Sequence, residues 1–514
     1  MVLHLRILSQ RLVPLPPLRQ RGNGSRSSGL ALALVGIFAA VSQGTMAKAA
    51  SSSLTLTSSS QYLVNAFDWN KAKALSWVRT DVKSGYIQCY WGGYNYREAF
   101  YVRDIAHQCE GASALGLNNE NLSMWRAFAG TANDSRQWFC LWALDFYGKT
   151  YAIDYRSDTN FVREIPAPLE LVDKAYSCYR WSADPRWITD AVLTNFYRTT
   201  MEEFIKIHDD NGDGIAEGHS IDIFDGACGS YCEQSAGGYG VGGDNIATTW
   251  SAYNSYAKLL TAMGKPALGK TYLAKATRVR HAYANDWWNA AGNNYYAGRT
   301  IGLGGWITNC DQYSKETYAF QAVKCIAEPG PRADALLDKL HQNYLQHGKD
   351  YNFESFTYLP EAFYNYGKSD QGWHWLKRLM DSHYQYPEVS FVAIGAIVTG
   401  MMGIEPDAPN HQVATLGRLT PEVDWLQLDH LPIGAHDVLV RHERGNTATT
   451  INHNAGKHPL RWEARFPGVY SKLFVDGAPR RAKQETLHGV TVSLVNVTLK
   501  EGQQVTISTE STRR

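Results

Sequence analysis

The feature that most restricts how this chain can fold is an alternation of two kinds of helical segment between about residues 62 and 405. One kind carries charge along a face and covers roughly 68–82, 119–145, 186–208, 267–287, 331–345 and 369–382. The other is apolar nearly all round, rich in Ala, Gly and aromatics, and covers roughly 97–116, 165–182, 245–264, 312–327, 358–367 and 386–403. Both follow the 3.6-residue period of a helix. Segments apolar on every side belong inside a fold, and amphipathic ones belong on its surface. Six such pairs predict a mainly α architecture, an (α/α)6 toroid with six inner helices ringed by six outer ones. There is no βαβ alternation to support a parallel-sheet fold. No sequence repeat accompanies the six-fold pattern.

Past residue 403 the pattern changes. Gly403-Ile404-Glu405-Pro406-Asp407-Ala408-Pro409 breaks the last helix, and short alternating strands follow, such as Asp437 to Arg441, Thr447 to Asn452 and Gly489 to Leu499. Turn signals at Asp476-Gly477 and Glu501-Gly502 separate them, as in a C-terminal β-sandwich. The domains are therefore read as 1–50 a targeting segment, 60–405 a catalytic domain and 415–512 the sandwich. The head carries Arg19, Arg21 and Arg26, an apolar run from Gly29 to Ala40, and a small-residue stretch at Met46-Ala47-Lys48-Ala49-Ala50. That order is a signal peptide's, and the run is too short for a membrane span. Export to a periplasm or the medium is expected, with a cytosolic chain carrying a disordered head as the alternative. No stable membrane insertion is expected.

The 50 Lys+Arg against 49 Asp+Glu leave a formal charge of +1, which gives no electrostatic reason to expect nucleic acid as a partner. The 16 Trp and 30 Tyr fill a helical core or stack on sugar faces. The eight cysteines all precede residue 326; Cys228 and Cys232 are close enough in sequence to bridge a loop, and the spacing leaves the pairing open.

In a ring of paired helices, the loops entering the inner helices surround one mouth, so side chains at those helix starts converge. Each start carries or adjoins a carboxylate: Tyr96 to Gln108 with Arg103, Asp104 and His107; Phe161 to Pro168 with Glu164; Gly242-Gly243-Asp244-Asn245; Trp306 to Tyr313; Asn352-Phe353-Glu354 with Glu361 and Tyr364 beyond; and Tyr386-Pro387-Glu388. Hydrolysis of a glycosidic bond needs one protonated carboxylic acid for the leaving oxygen and one carboxylate to activate water or attack the sugar. Burial beside aromatics splits their pKa values. An acid at a helix start also caps it, which is the simpler reading for any one of them. Six together, beside Trp and Tyr, favour a pocket, with Tyr101, Arg103, Asp104, His107, Glu164, Asp225, Trp306 and Tyr364 as its substrate-binding residues.

The six-pair layout followed by a β-sandwich resembles the six-hairpin glycosidases, the superfamily of glucoamylases, α-L-rhamnosidases and certain β-glucuronidases, over about residues 60–510. Tyr101-Val102-Arg103-Asp104 is similar to the aromatic-x-Arg-Asp element that grips the sugar in glucoamylase-like enzymes. The resemblance implies a general acid where the third inner helix begins, here Asp244, and a general base at the start of the sixth, here Glu388. It departs from the pattern in lacking a paired Glu-Glu at the third entrance, and Glu361 competes for the base. The implied function is an exo-acting glycoside hydrolase on an oligosaccharide or polysaccharide, with inversion favoured and no cofactor required.

Asp209-Asp210-Asn211-Gly212-Asp213-Gly214 begins like a calcium loop, with Asp209, Asn211 and Asp213 as alternate oxygen ligands. Its twelfth position is Ser220 rather than Glu, so a hydrogen-bonded turn is preferred over a structural calcium site. Two other functions stay open. A polysaccharide lyase would use Tyr364, Tyr366, His107 and Arg103 around a uronate, and a non-catalytic carbohydrate-binding protein would need no acid pair.

Overall fold

A computed structural model describes residues 50–79, 85–232, 238–308 and 315–511. The expected leader falls on residues outside these. In chain order the helices are α1 (Gln61–Ser76), α2 (Val102–Ala114), α3 (Asn118–Ala129), α4 (Pro166–Ser182), α5 (Arg186–Thr189), α6 (Ala191–Thr199), α7 (Ile205–His208), α8 (Gly243–Ala262), α9 (Pro266–Asp286), α10 (Lys315–Val323), α11 (Pro331–His347), α12 (Tyr358–Tyr364), α13 (Ser369–Ser382) and α14 (Pro387–Gly395). A π-helical stretch at Thr200–Phe204 joins α6 to α7, and another at Ala396–Met401 extends α14.

Burial separates the two kinds of helix as the sequence pattern does. Every residue of α14 is buried, and α2 is buried along its length except at Glu110. By contrast, α11 buries only Ala333, Leu336, Leu337, Leu340 and Tyr344, one stripe at helical spacing. Starts are set locally: Pro opens α4, α9, α11 and α14, where its missing N–H costs nothing. Asp190 caps α6 by accepting from the N–H groups of Val192 and Leu193.

The buried helices contact one another in sequence, α2 on α4, α4 on α8, α8 on α10 and α10 on α12. The π extension of α14 contacts α12, and α14 packs back on α2. That last contact is tight, since a Cβ added to Gly111 would stand 2.0 Å from the Phe391 carbonyl oxygen. Between α4, α8 and α10 the interior is polar. The Lys324 ammonium donates to Glu170 and, at 2.8 Å, to Asp173, whose other oxygen accepts from Ser251 at 2.6 Å and Ser255 at 2.8 Å.

Two sheets carry the C-terminal part. One has five strands in the order Ile404–Asp407, Gln412–Leu416, Leu460–Pro467, Val490–Leu499, Lys483–Leu487. The other has seven, in the order Thr55–Ser58, Leu426–Ile433, His436–His442, Ala448–Ala455, Gln504–Ser508, Lys472–Val475, Ala478–Arg481. Leu426–Ile433 and Leu460–Pro467 alternate buried and more exposed residues, the period-two pattern of a one-sided strand.

Three details differ from the sequence reading. In the C-terminal part strand pairing begins at Ile404, ahead of residue 415. Thr55–Ser58, ahead of the helical region, is an edge strand of the seven-stranded sheet, antiparallel to Leu426–Asp429. The segment 119–145 is not one helix: α3 ends at Ala129, and Ala143–Asp145 pairs with Ala99–Tyr101 just before α2. Among the described residues, no helix is long and apolar enough to cross a membrane.

Candidate active site

The first turns of α2 and α14 and the turn that precedes α12 bring together three buried carboxylates. Asp104 is in the first turn of α2, Glu388 in the first turn of α14, and Glu354 in the 3-10 turn Phe353–Phe356 that leads into α12. One carboxylate oxygen from each lies within 4.8 Å of the others. Arg103 Nη2 donates to Glu354 Oε1 at 2.5 Å, Thr357 Oγ1 donates to Glu388 Oε1 at 2.9 Å, and the Tyr386 hydroxyl donates to Asp104 Oδ1. Glu388 Oε2 is buried with no hydrogen-bond partner.

Taking these acids out of water favours their neutral forms. Burial, reinforced by the neighbouring Glu354, pushes Asp104 up to about 7. Burial and the Asp104 and Glu354 carboxylates hold Glu388 well above the usual range. Arg103 opposes both shifts. The cluster therefore takes up protons as a unit, and the guanidinium already within it supplies the positive charge that a metal ion would bring.

Aromatic rings border the cluster. The Tyr94 hydroxyl accepts from Asn352 Nδ2 at 2.8 Å, and the same amide nitrogen donates to Glu354 Oε2 at 3.2 Å. Tyr94 stacks on the exposed ring of Tyr96 and packs against Tyr386. Tyr94 and Glu354 escaped the list of site residues drawn from the sequence. The Tyr94-Asn95-Tyr96 run before α2 and the acid four residues ahead of α12 were the signals available.

Asp244 is fully buried in the first turn of α8. Its Oδ2 accepts from the Tyr231 N–H at 2.6 Å and Ser230 Oγ at 2.9 Å, while Oδ1 is buried without a partner. Burial pushes its carboxyl up to about 6 against those two donors. The glycines before it serve close approach rather than flexibility. A Cβ on Gly242 would stand 2.1 Å from Asp244 Oδ1, and one on Gly243 2.0 Å from Gln321 Nε2. The Tyr231 ring links the two regions, lying 5.2 Å from the Arg103 guanidinium.

Other expected site residues are more scattered. Tyr101 donates to Asp154 at 3.0 Å and receives Arg97 at 3.1 Å. Glu164 is buried and accepts from Trp142 Nε1 at 2.6 Å. Asp225 is exposed, near enough to Arg163 to act on it. Trp306 stacks on Tyr296 at 4.4 Å on the small sheet whose strand Tyr239–Gly242 leads into α8.

Glu361 and Tyr364 do not join the acid cluster. They line a cavity of about 180 Å³ beside the last turn of α4, the end of α14, the strand residue Glu405 and Arg418 just past the strand Gln412–Leu416. There Glu361 faces Lys174 at 3.5 Å. The reason is helical: α12 starts at Tyr358, so Glu361 lies a turn down the helix and Tyr364 ends it. His107, one turn beyond Arg103, also reaches this cavity; its ring is buried against Phe320 and Tyr358, with Nε2 3.9 Å from Glu170. Burial, with Lys324 nearby, holds it well below the usual histidine range.

No protein-family model matches the sequence, and no curated protein matches it. Solved structures do match by shape. An α-L-rhamnosidase from Dictyoglumus thermophilum superposes over 89% of this chain and 50% of its own at a TM-score of 0.57 and 11% identity. At this identity the likeness is one of fold. A GH78 family rhamnosidase of Bacillus sp. GL1 superposes over 77% of the chain and 40% of its own, at 0.55 and 13% identity. A sialidase does so over 76% and 38%, at 0.54 and 11%. The chain thus spans half or less of the length of these proteins.

Proposed function

We propose that the chain is a glycoside hydrolase, an (α/α)6 toroid backed by a β-sandwich, whose active centre is the acid cluster at the N-terminal ends of its inner helices. The observation that carries this reading is the convergence of Asp104, Glu354 and Glu388 from three separate helix starts around Arg103, beside an aromatic ledge. Buried acids with separated environments are what glycosidic cleavage requires. The rhamnosidases among the structural neighbours support the class, and a rhamnose-like or other neutral sugar is the first substrate to try. Arg103 and Asp104 hold sugar hydroxyls, Glu388 activates water, and Asp244, with its unpartnered Oδ1, protonates the leaving oxygen. Action from a chain end, with inversion, belongs to the same proposal.

A lyase base finds less support. The Tyr366 hydroxyl is bound to the Ala327 carbonyl at 2.8 Å, and Tyr364 is turned to the other cavity.

The test is a screen of aryl glycosides followed by Asp244→Asn and Glu388→Gln. Each should cut turnover by roughly 10²–10⁴-fold, the size of a proton-transfer contribution. A good leaving group should rescue Asp244→Asn but not Glu388→Gln. Water activation needs Glu388 ionised, and burial beside Asp104 and Glu354 holds that carboxyl well above the usual range, while donation needs Asp244 protonated, which is lost as pH rises through about 6. The profile of kcat/KM should therefore be a narrow bell. Ultraviolet-absorbing unsaturated products, or full activity in both variants, would refute the proposal.

A further inference from the structure

The loop from Asp209 to Glu217 looked incomplete as a cation site because its twelfth position is Ser220. The structure supplies the missing carboxylate from inside the loop. Oxygens of Asp209, Asp213 and Glu217 all lie within 4.8 Å of one another. Glu217 is only 2% exposed. Its Oε2 accepts the Asp210 N–H at 2.8 Å, while Oε1 is buried with no hydrogen-bond partner.

A buried carboxylate oxygen without a donor is costly, and the charged groups acting on this one are the carboxylates of Asp213, Asp209 and Asp210. Burial and those acids push Glu217 up to about 7. Lys275 and Arg278 line the hollow beside Asp209 and Asp213, yet among the described residues neither forms an ion pair with them. An acid buried among acids needs either a proton or a cation.

We propose that Asp209, Asp213 and Glu217 bind a calcium ion. The donor set is oxygen alone, which suits a hard cation held by a flexible loop, and Gly214 makes the sharp turn at φ +90°. The ion's place in the fold gives it a task. The Asn245 amide donates to the Ala216 carbonyl at 2.8 Å, and Tyr253 donates to the Gly214 carbonyl at 2.8 Å, so the loop is tied to α8 from both sides of its turn. The same connection runs on to Ser230 and Tyr231, which hold Asp244. Calcium therefore fixes the segment that delivers two hydrogen bonds to the carboxyl at the start of α8. This inference does not depend on the hydrolase proposal.

The experiment uses the full chain, stripped with chelator, dialysed, and titrated with Ca²⁺ alone by calorimetry, with melting curves in EDTA and in CaCl₂. Ca²⁺ should bind at one site and raise the melting temperature. Glu217→Gln should weaken binding at least about tenfold, because affinity follows ligand charge. In EDTA that variant should melt at or above the wild type, since the amide removes a buried acid, which also shows that it folds. Asp210→Asn, at a side chain 64% exposed and outside the trio, should bind as the wild type does. No binding heat with no melting shift, or undiminished binding in both Glu217→Gln and Asp213→Asn, would overturn the inference.

Discussion

At the scale of single residues, the acid cluster is held together at a cost to stability. Asp104 ionises near 3.8 when unfolded and near 7 in the fold, so over that window the native state keeps a proton that the unfolded chain releases. The stability from this group is fully present below about pH 4 and is lost as pH rises through 7. Glu388 acts in the same direction. The buried His208, His436 and His442, each lowered to about 4, work oppositely as pH rises, so a variant isolates the acid effect better than the wild-type curve does. Glu388→Gln should raise the melting temperature at pH 8 by about 2–4 °C, the change that ~1 kcal/mol makes in a sizeable domain. The gain should shrink toward zero near pH 4. A variant that melts lower than the wild type at pH 8 would mean that the carboxylate is held by more than Thr357 and its charged neighbours.

At the scale of elements, the buried helices were legible because burial on all sides leaves an unmistakable composition. The span expected at 386–403 is α14 with its π extension, and that at 369–382 is α13. What failed was local register. Ala99–Tyr101 and Ala143–Asp145 carry apolar residues that continue a helical period, but they pair with each other, and long-range pairing leaves no periodic trace. The short α12 misled in another way, since an acid one turn inside a helix looks in sequence like one at its mouth; hence Glu361 was taken for a rival base while Glu354, named at the same entrance, was given no role. The proposed cation loop departs from the template in placing its buried acid, Glu217, at the ninth position rather than the twelfth. The α2–α14 crossing gives the sharpest test of packing. Gly111→Ala should cost about 3 kcal/mol, the upper end for overpacking, because the obstacle is the Phe391 carbonyl rather than a movable side chain. Denaturant melts measure it, and a loss below about 1 kcal/mol would mean that the helices separate easily.

At the scale of the whole molecule, the sheets are joined to the helical part by sequence as well as by packing. Thr55–Ser58 sits on the edge of the seven-stranded sheet, with Leu54 and Leu56 buried beside it. Two buried leucines are worth roughly 2–3 kcal/mol each. A chain beginning at Ser59, which keeps the Ser60 cap of α1, should therefore melt several degrees lower, and a synthetic peptide of residues 50–58 should restore part of the loss. Unchanged melting would show that the edge strand contributes no stability. The pairing also sets an order of events during synthesis. A strand made before the helices has its partner among elements made after them, and contacts closed across such a span form late. Helical pairs can assemble as they emerge, but Leu54 and Leu56 stay uncovered until Leu426–Ile433 arrives. A product stalled before that point would display an unpaired strand edge flanked by leucine, the kind of surface on which aggregation starts.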